Sequence, residues 1–72
     1  MSELPILSGK EIIKALSKVG YSVVRQRGSH IRLHCPNKKS ITIPNYKSID
    51  RSLLRKILRD AEITDDEFLK GL

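Results

Sequence analysis

Tyr21-Ser22-Val23-Val24-Arg25-Gln26-Arg27, then Gly28-Ser29, then His30-Ile31-Arg32-Leu33-His34-Cys35: this run decides the fold. Its first seven residues are rich in β-formers, and Gly28-Ser29 is a turn signal. From His30 onward polar and apolar residues alternate. Ile31, Leu33 and Cys35 point one way, and His30, Arg32 and His34 point the other. Pro36-Asn37-Lys38-Lys39 is a second turn, and Ser40-Ile41-Thr42-Ile43 is a third short strand, closed by Pro44. Two consecutive tight turns predict an antiparallel three-stranded meander. The facing of the first strand stays open, because Val23 and Val24 are adjacent and a bulge fits there.

Outward from the meander, the period changes to that of helices. Ser8-Gly9-Lys10-Glu11 reads as a capping box, in which Ser8 and Glu11 each satisfy the other's backbone N–H. Ile12, Ile13, Leu16 and Val19 follow at helical spacing, with Lys10, Lys14 and Lys18 striping the opposite side. A helix over 9–19 is predicted, stopped by Gly20. After a loop at 45–49, Asp50 is an N-cap for a second helix. Leu53, Leu54, Ile57, Leu58 and Ala61 form its buried face, and Arg51, Arg55 and Arg59 an exposed stripe. Thr64-Asp65-Asp66-Glu67 opens a short last helix carrying Phe68, Leu69 and Leu72. The order is α-β-β-β-α-α, an α+β fold whose helices cover one face of the sheet. The other face would carry His30, Arg32 and His34.

A chain of 72 residues predicts a single domain with a small core. Its one cysteine, Cys35, can form no internal disulfide and suits a reducing cytosol and ordinary strand packing. No apolar run reaches membrane-spanning length, and Met1-Ser2-Glu3-Leu4-Pro5 has no signal pattern, so a cytoplasmic protein is expected. Net charge is +6, and its distribution is uneven. Between Lys10 and Arg59 stand 13 Lys/Arg and two acids, Glu11 and Asp50, whereas residues 60–72 hold five acids and one lysine. A concentrated basic body favours a polyanion, either nucleic acid or an acidic protein.

Arg25-Gln26-Arg27-Gly28-Ser29-His30 is the stretch with chemical content. It sets a histidine at a strand start, after a glycine turn, among cations. Histidine titrates near neutral pH and can pass protons. Arginines hold phosphate and stabilise charge developing on phosphorus. RNA brings its own nucleophile, the 2′-hydroxyl, so a ribonuclease needs only a proton carrier and cationic support. His34, on the same face, can assist or contact phosphate. No carboxylate lies in residues 12–49, so no metal set and no cofactor is expected. Tyr21, Tyr46 and Phe68 are the only aromatics, which argues against an aromatic base-reading platform and for phosphate and 2′-hydroxyl contacts with strong salt dependence.

Ser8-Gly9-Lys10-Glu11, Arg25-Gln26-x-Gly28-Ser29-His30, Thr42-Ile43-Pro44-Asn45 and Leu54-Arg55-Lys56-Ile57-Leu58 together resemble the HicA (YcfA-like) toxin family over nearly the whole chain. The Arg-Gln-x-Gly-Ser-His element is the most specific part. The resemblance implies a fold similar to a small double-stranded-RNA-binding domain, and the toxin of a type II toxin–antitoxin pair that cleaves mRNA without the ribosome. The family's catalytic histidine corresponds to His30, and the implied partner is a HicB-type antitoxin covering it. Two departures stand out. Tyr46 occupies a position where many members carry a second histidine, and Ser52-Leu53 a position where members often have Gly-Thr. Tyr46 cannot shuttle a proton near neutral pH.

On this reading His30 is the general acid or base, Arg25, Arg27 and Arg32 hold phosphate around the Gly28-Ser29 turn, and His34, Lys38, Lys39 and Lys47 extend the track along single-stranded RNA. There are two rivals, the first on the same basic surface and the second on the Arg51, Arg55 and Arg59 stripe. One is an RNA-binding module without chemistry. The other is DNA binding through the second helix, against which three strands separate the first two helices and leave no helix-turn-helix.

Overall fold

A computed structural model describes residues 3–72. Met1 and Ser2, part of the stretch read for a signal pattern, lie outside the described residues. The elements are α1 (Gly9–Ser17), β1 (Ser22–Arg27), β2 (His30–His34), β3 (Ile41–Pro44), α2 (Arg51–Asp60) and α3 (Asp65–Lys70). The strands form an antiparallel sheet in the order β1-β2-β3.

Local chemistry starts each helix where the sequence predicts. Ser8 Oγ accepts from the Glu11 N–H at 3.1 Å, and the Glu11 carboxylate accepts from the Ser8 N–H at 3.0 Å. These bonds, the backbone one first, hold the Glu11 carboxyl below its ordinary value. The Asp50 carboxylate accepts from the Leu53 N–H at 2.8 Å, and Thr64 with Glu67 closes a second capping box.

The ends differ from expectation at three places. α1 stops at Ser17, not residue 19, because Lys18, Val19 and Gly20 donate to carbonyls three residues back and tighten the final turn. β3 begins at Ile41, leaving Ser40 in a six-residue connection from Cys35 that is longer than a tight turn. Leu72 lies beyond α3 and is 52% exposed, so it is not part of that helix's apolar face.

The core lies between the helices and the inner face of β2 and β3. Ile31, Leu33, Ile41 and Ile43 from the strands meet Ile12, Ala15 and Leu16 of α1, Leu54, Ile57 and Leu58 of α2, and Phe68 of α3. Cys35 is a buried free thiol at its edge. Leu4, Ile49 and Ile63 are also buried, though they lie outside every periodic segment. Two of them belong to a seam that periodicity does not reveal. Ile49 bridges to Leu7, and the Arg51 guanidinium donates to the Leu4 carbonyl, tying the N-terminal segment to the start of α2. All six residues of β1 are exposed, so the helices shield β2 and β3 and leave β1 overhanging.

Candidate nucleic-acid interface

The strand register builds the open face row by row. His30, first residue of β2, lies between Arg27 on β1 and Pro44 on β3. The next row is Arg25, Arg32 and Thr42. The third pairs Ser22 with His34. Residues paired across strands share a face, so Arg25, Arg27, His30 and Arg32 project together. With Val24 and Thr42 they line one shallow depression.

A bulge resolves the orientation that the sequence leaves open. Val23 pairs with Leu33 and Arg25 with Arg32, so Val24 is the extra residue. It stands 59% exposed in the depression with the arginines. The Val23-Val24 doublet, which breaks strict alternation, is the sequence signal for it.

The Gly28-Ser29 turn fixes the entry to β2. Gly28 has φ +59°, a left-handed conformation that glycine adopts without the penalty of a side chain. The Asn45 N–H donates to the Ser29 carbonyl at 2.6 Å, linking the β3 exit to this turn. The Gln26 amide donates to the Gly28 carbonyl at 3.3 Å. Arg32 is held by a 3.0 Å bond to Thr42 Oγ1. The imidazole of His30 has no hydrogen-bond partner among the described residues, and no carboxylate lines its depression. The described residues also contain no group of three His, Cys, Asp or Glu placed to hold a metal ion.

Other expected site residues lie apart. His34 is four residues from His30, about 13 Å along a strand rising ~3.3 Å per residue, too far to share a proton with it. Its Nδ1 lies 3.4 Å from Ser40 Oγ. Lys38 and Lys39 sit on the β2–β3 connection, at the opposite end of the sheet from His30. Lys38 donates from Nζ to the Ala61 and Glu62 carbonyls, at 3.2 and 3.3 Å, and so caps the C-terminus of α2. The Lys39 carbonyl accepts from the Tyr21 hydroxyl at 2.9 Å. Lys47 lies on the His30 side of the sheet, in a second depression with Ser8, Lys10, Asn45 and Tyr46. On α2, Arg51 is tied to Leu4 and pairs with Glu3 at 3.7 Å, which removes one member of the expected arginine stripe.

Fold and face together define a small α+β protein with a helix-free, arginine-lined sheet surface that carries one unpaired histidine. The chain belongs to the HicA toxins of bacterial toxin–antitoxin systems, whose family model matches residues 9–63. Membership implies an antitoxin partner. Neither the curated proteins nor the solved structures gave a match to this chain. Among the described residues no helix is long and apolar enough to cross a membrane.

Proposed function

We propose that the chain is a ribosome-independent, metal-independent endoribonuclease that cleaves mRNA in the cytoplasm. The observation that carries this reading is His30, free of intramolecular partners among the described residues and grouped with three arginines in a depression that no carboxylate lines. Arg25, Arg27 and Arg32 bind the phosphate and stabilise its developing charge. The substrate's 2′-oxygen attacks phosphorus as the P–O5′ bond breaks, leaving a 2′,3′-cyclic phosphate and a 5′-hydroxyl. His30 moves one proton in this step, either taking it from the 2′-hydroxyl or giving it to the departing 5′-oxygen, and water handles the other. A HicB-type antitoxin covering this face would block substrate, and acidic groups on it would complement the arginines.

Incubating the purified protein with long single-stranded RNA and a chelator tests the proposal. New 5′-hydroxyl ends are expected, and intact RNA contradicts it. A second reading, an RNA-binding module without chemistry, draws on the lack of any protein group orienting the His30 ring and on Tyr46 in place of a second histidine. Tight RNA binding with no cleavage supports that reading.

A further inference from the structure

Tyr46 is the one aromatic side chain that the described fold leaves in solvent. Phe68 and Tyr21 are buried, and the Tyr21 hydroxyl is committed to the Lys39 carbonyl. Tyr46 is 51% exposed, and its hydroxyl has no partner among the described residues. It is nevertheless held in place. Its carbonyl accepts from the Gly9 N–H at 2.9 Å, and its neighbour Asn45 donates to Ser29. The close approach depends on Gly9, where a Cβ would lie 2.2 Å from the Pro44 carbonyl oxygen. The ring therefore rides on a loop clamped between α1 and the Gly28-Ser29 turn.

Its surroundings specify what it would meet. Tyr46 shares its depression with Lys10 and Lys47, neither of which has a partner among the described residues. Pro44 lies directly opposite His30, and Tyr46 follows two residues later, at most about 7 Å of chain. A flat π-face flanked by two free ammonium groups, close to the depression that holds His30, matches a nucleotide: a base on the ring and a phosphate on the lysines.

We infer that Tyr46, Lys10 and Lys47 form a nucleotide subsite adjoining His30, in which Tyr46 stacks a base of the single-stranded RNA and the lysines hold its phosphate. This rests on the RNA-cleaving or RNA-binding reading above and adds the element that selects which nucleotide neighbours the cut. Stacking tolerates every base, because each has a π-face, and any preference there is modest and set by stacking strength.

The test uses 2′-O-methyl RNA, which lacks the attacking hydroxyl, as an uncleavable probe, with affinity read by fluorescence anisotropy. Tyr46→Ala is expected to bind about tenfold more weakly than the parent, and Tyr46→Phe to match the parent. A set of probes with one abasic nucleotide at successive positions adds a second readout. The parent should lose affinity at one position, and Tyr46→Ala should lose nothing further there. Equal binding by the parent and Tyr46→Ala overturns the subsite. Equal loss in Tyr46→Phe and Tyr46→Ala overturns stacking in favour of a hydroxyl contact. No RNA binding by the parent removes the reading beneath the subsite, a failure distinct from either.

Discussion

Salt dependence gives the face a quantitative signature. Three arginines, Arg25, Arg27 and Arg32, line the depression with His30. If each neutralises one phosphate and Lys10 with Lys47 holds a fourth, single-stranded RNA binding should weaken with a log–log slope of about −2.8, from ~0.7 per phosphate. Raising salt from about 50 to about 200 mM then lowers affinity roughly 50-fold. Arg32→Ala removes one contact, so the slope should fall to about −2.1 and the loss to roughly 18-fold. Arg32 also bonds Thr42, so Thr42→Val is the matched control. It frees the guanidinium without removing its charge and should leave the slope unchanged. Anisotropy titrations at four or five salt concentrations measure all three proteins. If Arg32→Ala keeps the parental slope, the guanidinium does not touch phosphate and the arginine face is not the binding surface. A parental slope near about −2.1 would remove the phosphate assigned to Lys10 and Lys47, and one well beyond about −2.8 would point to cations outside both depressions.

Two further outcomes follow from the fold. Phe68 is completely buried against the core, so Phe68→Ala should destabilise the protein by about 3–5 kcal/mol, a large share of what a domain this size possesses; chemical denaturation checks it, and a loss under about 1 kcal/mol would mean α3 is dispensable. The Glu11 carboxyl is held below the ordinary glutamate value by the Ser8 hydrogen bonds, the backbone one first. Because the folded value is the depressed one, the capping box contributes fully above the unfolded value and is lost as pH falls through the folded one. An NMR titration should find the Glu11 midpoint below that of an unstructured glutamate in the parent, returning upward in Ser8→Ala.

What could be read from the sequence follows from how local each feature is. The caps at Ser8, Asp50 and Thr64 act within three residues, so their spelling suffices. The alternation through Ile31, Leu33 and Cys35 identifies the inner face of β2 because strand geometry has a fixed period of two. Arg32 shares the His30 face by the same period, and Arg25 and Arg27 share a face with each other, but only the register and the bulge at Val24 place that face beside His30. Long-range partners are not spelled locally. Lys38 looks like any exposed lysine until α2 returns beside it and offers two carbonyls. Arg51 reads as part of a stripe until the N-terminal segment meets it. Leu4, Ile49 and Ile63 carry no period, and only the assembled fold buries them. Tyr46 is marked in the sequence only as a departure from the family's second histidine, and its fixed, solvent-facing position emerges from the contacts of Gly9 and Asn45.

The central claim is that His30 performs the chemical step, and the most direct measurement compares cleavage of a long single-stranded RNA, in chelator, by the parent and His30→Ala purified identically. The account predicts that the variant binds RNA with near-parental affinity and salt slope but cleaves at least about a hundredfold more slowly, the scale of a lost acid or base. Cleavage by His30→Ala at the parental rate would contradict it and place the chemistry elsewhere on the chain.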